Sequence, residues 1–163
     1  MIAFFYYSGV SFLYLSLALG IFTVRLILNN LETACNEPTN LAARDATALG
    51  SHYAGLCLST SAVGYVHAIA HQLGARYGVP HGRANAMVLP HVLAFNQPAC
   101  VKKLGSLARD LELAAPGSTD SAAAEALSAR VRELLARLPI RRSGAMIQRS
   151  DYARMANDAL TEA

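Results

Sequence analysis

A chain of 163 residues can enclose one sizeable core but not two full ones. Its 53% apolar and 15% charged residues are far from the composition of a disordered chain. The formal charge of +3, with no basic run and no RNA-type aromatic pattern, argues against nucleic acid as a partner.

Trp is absent, Ala and Leu abound, and β-branched residues are sparse, so helix is favoured nearly throughout. Met1 to Val24 carries no charged side chain and admits three readings. It could span a bilayer. It could be an export signal, though it lacks a positive start and offers only Ala18-Leu19-Gly20 as a cleavage site. It could be a core helix that another part of a larger protein covers. Residues 1–15 are treated as an atypical apolar segment, and residues 16–163 as the domain proper.

Helix then continues from Phe22 to Ala34 and is stopped by Asn36-Glu37-Pro38. Thr39 or Asn40 caps the next helix, which runs to about Ser59. A third spans roughly Ala62 to Gly78. A fourth follows Pro80, bends at Pro90 and stops before Pro98. Pro98 opens KKLGSLARDLEL, closed by Pro116-Gly117. From Ser118 to Leu138, apolar residues at Ala123, Leu127, Val131, Leu134 and Leu135 follow helical spacing. A last short helix follows Ser150. No alternating run offers a strand and no internal repeat is visible, so the expected architecture is an all-α helical bundle. Cys35, Cys57 and Cys100 are widely spaced with no CxxC, and read as buried, reduced thiols of a cytosolic protein.

Chemistry concentrates in VHAIAHQLGARYGVPHG, Val66 to Gly82, which holds three of the five histidines. His67 and His71 stand four apart, so both imidazoles project from one helical face. That spacing suits two ligands on one metal, although the Glu of HExxH is absent. Gly78-Val79-Pro80 is a turn that can swing His81 back to the same face, and Gly82 permits close approach. The competing reading is that these imidazoles only hydrogen-bond to carbonyls of a semi-apolar helix.

The run GYVHAIAHQLGARYGVPHGRANAMVLPHVLAFN, Gly64 to Asn96, closely resembles the signature of the iron-containing, or group III, alcohol dehydrogenase family. ARDATALGSHYAG and LPIRRSGAMIQRSDYARMANDAL resemble that family's preceding helix and closing segment. The resemblance implies a C-terminal all-helical, metal-carrying domain, without the N-terminal Rossmann-like domain that binds NAD(P). It implies His67 and His81 as metal ligands, and His71 as a non-ligand beside the nicotinamide and substrate. That set would suit Fe(II), with Zn(II) the alternative. Implied substrates are small alcohols or aldehydes.

Three departures stand beside the match. The family's remaining two ligands form an Asp-x-x-x-His pair, and no DxxxH occurs here; the family spacing places the pair at or before Met1. Asp45 and His52 are seven apart and in the wrong segment. No GxGxxG or similar glycine-rich cofactor loop is present. His91 reads as helix packing. His52, Arg76, Arg83 and Asn85 are candidates for the cleft, with Arg83 near an anionic group, although a solvated role suits each arginine better. The expected function is therefore that of a dehydrogenase fragment with little activity alone. The alternatives are a helical module that docks on a nucleotide-binding partner or on its own copy, and a membrane-tethered protein held by residues 1–24.

Overall fold

The computed structural model describes residues 2–59, 63–140 and 147–162, with side chains from Ala18 onward. The described residues form six α-helices and one 3-10 turn, with no strand. The all-α expectation holds. The chain divides into two compact units: 1–62 with 110–112, and 63–109 with 113–163.

The first unit is a helical hairpin of α1 (Ile2–Asn36) and α2 (Leu41–Leu58). Residues 1–15 precede any cap signal, and the described part of that stretch is backbone within α1. The Asn36-Glu37-Pro38 stop ends α1 as expected. Asn40 caps α2, its side-chain oxygen accepting from the Ala43 amide at 3.1 Å. Gly50 makes the two helices close: a Cβ there would meet Ile27 at 3.1 Å and Leu26 at 3.3 Å. Phe22 and Tyr53 pack ring to ring at 5.9 Å. No helix among the described residues is long and apolar enough to cross a membrane.

The second unit holds α3 (Tyr65–Tyr77), α4 (His81–Asp110), α5 (Asp120–Arg137), the 3-10 turn Arg149–Asp151 and α6 (Tyr152–Glu162). Ala62, the expected start of the third helix, and residues 141–146 of the closing segment lie outside the described residues. The core gathers Ala70, Leu73, Val79, Ala84, Val88, Val92 and Met155. Thr119 caps α5 by accepting from the Ala122 amide at 3.2 Å. Ala123, Leu127 and Leu134 of the predicted stripe are buried, whereas Val131 and Leu135 are only half-buried.

One expected boundary fails. α4 continues through both Pro90 and Pro98 to Asp110. A proline inside a helix costs about 3 kcal/mol, because it lacks an N–H and frees a carbonyl four residues earlier. Pro98 and Ala94 are both exposed, so water can satisfy that carbonyl. Buried side chains lie on both sides of the proline, Val92 before it and Ala108 after it, and packing holds one continuous helix. The thiol reading also needs correction. All three cysteines are free, but Cys35 is exposed and Cys57 and Cys100 are only half-buried.

Candidate functional site

The site begins where α3 ends. Gly78 takes the left-handed conformation, φ 63°, and donates to the Gly74 carbonyl at 3.0 Å, while the Val79 amide reaches Leu73 at 3.4 Å. This closure suits glycine because a Cβ is strained at positive φ. Val79 is then buried as an anchor, and the chain reverses so that His81 becomes the first residue of α4.

That reversal gathers three imidazoles. The ring centroids of His67 and His81 are 5.4 Å apart, those of His71 and His81 5.3 Å, and those of His67 and His71 6.1 Å. The His71 and His81 rings are stacked, at 26° between planes. With metal–nitrogen bonds of about 2.0–2.1 Å and tetrahedral angles, two imidazole centroids sharing one ion stand on the order of 5 Å apart. The His67–His81 and His71–His81 pairs both fall near that spacing, so distance alone does not choose between them.

Electrostatics favour neutral imidazole at His67. Burial holds the His67 pKa below the usual histidine value, and the charges of His81 and His71 lower it further. A neutral ring keeps the lone pair that a metal requires. The donor set is nevertheless incomplete: among the described residues no group of three or more His, Cys, Asp or Glu is placed to hold a metal ion. Nε2 of His81 is engaged by the Asn85 side-chain amide at 3.0 Å, and that same amide donates to the His81 carbonyl at 3.1 Å.

His71 differs from its neighbours. Its Nδ1 meets a carboxylate oxygen of Glu162 in the last turn of α6, and Gln72 donates to the other oxygen at 3.5 Å. Two further contacts fix the 3-10 turn and α6 against α3. Arg76 pairs with Asp158, and the Tyr77 hydroxyl donates to Asp151. Arg76 is thus ion-paired with Asp158 and largely covered, not a freely solvated arginine. Arg83 is exposed, and His52 and Asp45 are exposed on α2 in the first unit. His91 is exposed too, lining a groove rather than packing inside the helix. That groove, about 730 Å³, runs between α3, α4 and α6, with Tyr65, Leu73, Phe95, Met155 and Leu160 among its walls.

Sequence reasoning missed Glu162 and Asp158. A signal existed: the two acids lie four apart on α6, and Gln72 and Arg76 lie four apart on α3, so each pair occupies one helical face.

An all-helical domain that gathers histidines at a glycine-closed helix turn defines the class to which the chain is compared. The chain belongs to the Fe-containing alcohol dehydrogenase family, whose C-terminal family model matches residues 7–163. It is 36% identical over 147 residues to the 1,3-propanediol dehydrogenase of Citrobacter freundii, covering 89% of this chain and 38% of that protein. The crystal structure of a 1,3-propanediol oxidoreductase superposes with a TM-score of 0.84 at 35% identity, covering 90% of this chain and 39% of that one. An alcohol dehydrogenase from Oenococcus oeni superposes with a TM-score of 0.80 at 31% identity, covering 87% and 38%. The chain therefore spans little more than a third of the length of these relatives.

Proposed function

We propose that this chain is the helical, metal-bearing part of an NAD(P)-dependent oxidoreductase acting on small alcohols or aldehydes. Residues 16–163 constitute its metal-binding region and residues 1–15 an atypical apolar lead-in. The convergence of His67, His71 and His81 at the α3–α4 turn carries this reading. Family membership and the match to the 1,3-propanediol enzymes support it.

His67 and His81 would hold the ion, Fe(II) or Zn(II), as neutral donors. Such an ion, if bound, would act as a Lewis acid on an alcohol oxygen. His71 would orient the substrate and accept the hydroxyl proton, and a nicotinamide, if bound, would supply the hydride acceptor. Neither the family's Asp-x-x-x-His pair nor a glycine-rich dinucleotide loop is encoded in these residues. Activity on this reading requires a nucleotide-binding domain besides these residues, and a complementing portion of a family member can supply it in the assay. The three free cysteines suit a reducing, cytoplasmic setting.

The test is to assay NAD(P)-linked oxidation of short alcohols with Fe(II) or Zn(II), with and without a purified N-terminal portion of a family member. Turnover only in the combined sample is expected. No turnover in either sample, despite a stable complex, would overturn the reading.

A further inference from the structure

The carboxylate of Glu162 approaches His71 from the far end of the sequence, 91 positions further along the chain. Its place is fixed by more than one contact. Asp151 accepts from Tyr77, Met155 and Ala159 are buried, Asp158 holds Arg76, and Glu162 completes the row in the last turn of α6. Gln72 donates to the second carboxylate oxygen at 3.5 Å, so both oxygens of Glu162 face α3. His71 and Glu162 are each more than half sheltered, with side chains 41% and 35% exposed.

We propose that Glu162 is a positioning residue that fixes the tautomer and the ring plane of His71; this deepens, and rests on, the role given to His71 above. An ionised carboxylate can only accept hydrogen bonds. In neutral His71 the proton must then sit on Nδ1, and Nε2 is left with its lone pair available. The nitrogen that bonds the carboxylate thus decides which nitrogen can receive a proton, as in a carboxylate–histidine pair of a hydrolase or metal site. Stacking on His81 restrains the same ring from its face. Without Glu162, His71 would be free to place the proton on Nε2, and it could not then take one from a substrate hydroxyl.

The test is made on the chain alone, with 15N-labelled histidine in mildly alkaline buffer. Long-range proton–nitrogen correlation reports which ring nitrogen bears hydrogen, and His71→Gln assigns the signals. In the wild-type chain, His71 is expected to carry its proton on Nδ1. In Glu162→Ala, with unchanged helicity by circular dichroism, the Nε2 resonance is expected to shift to the protonated position. A wild-type His71 protonated on Nε2 overturns the proposal outright, whatever the variant's folding. An unchanged Nδ1–H pattern in a folded Glu162→Ala chain overturns the assignment to Glu162. Because no metal, cofactor or turnover is needed, failure of the dehydrogenase reading leaves this result standing. Conversely, the tautomer can be wrong while the combined sample still oxidises alcohols.

Discussion

His67 and His81 face one another with ring centroids 5.4 Å apart, although one sits in the middle of α3 and the other opens α4. The left-handed Gly78 turn creates that relationship, and it brings together two imidazole donors without a carboxylate beside them.

Such a pair should bind metal poorly. Complete protein sites gain on the order of 10–16 kcal/mol from a full ligand set. After dialysis of the chain alone against buffer, Fe(II) or Zn(II) is expected well below one equivalent by elemental analysis. Stoichiometric retention would show that other side chains complete the set, with His71 the first to substitute.

The roles of the three histidines separate in an enzyme completed with a nucleotide-binding portion. His71→Ala is expected to lower turnover by roughly 10²–10⁴-fold, the usual contribution of a general acid or base, with metal content near normal. His67→Ala and His81→Ala should lose metal and turnover together. Metal loss in His71→Ala would assign it as a ligand instead.

Glycine substitutions distinguish close approach from helix propensity. A Cβ at Gly105 would lie 2.8 Å from the Asp120 Cα and carbonyl oxygen, backbone atoms that cannot move aside cheaply. Gly105→Ala is expected to destabilise by about 1–3 kcal/mol. A Cβ at Gly55 in α2 meets nothing within 4 Å, so Gly55→Ala should stabilise by up to about 1 kcal/mol. Urea unfolding followed by circular dichroism measures both, and shifts of the same sign would contradict the contrast.

The Tyr77 phenol makes stability depend on alkaline pH. Its hydrogen bond to Asp151, with burial adding to it, raises the pKa above the usual 10.0. The folded chain then keeps this proton at pH values where the unfolded chain loses it. The contribution is complete below pH 10 and disappears as pH rises through the raised folded value. Tyr77→Phe should therefore melt earlier than wild type near neutrality, with the difference narrowing on the alkaline side. A gap in melting temperature that is constant with pH would exclude this coupling.

Local chemistry was legible in the sequence because its causes lie within a few residues. The Asn40 cap, the Gly78 stop, the Pro38 break and the helical spacing of Ala123, Leu127 and Leu134 each act over about one turn of chain. The turn that returns His81 toward His67 was readable for the same reason, and the histidine signature pointed to the family from these residues alone. Tertiary packing decided the rest. Pro98 signals a stop by itself, and only burial on both sides of it keeps α4 continuous to Asp110. The matched spacing of Asp158 and Glu162 with Gln72 and Arg76 marks two complementary faces, but only the packing of α6 along α3 pairs Arg76 with Asp158 and His71 with Glu162. Exposure of Cys35 and His91 was likewise set by what the neighbouring helices leave uncovered, a property of the assembled surface that no local sequence pattern encodes.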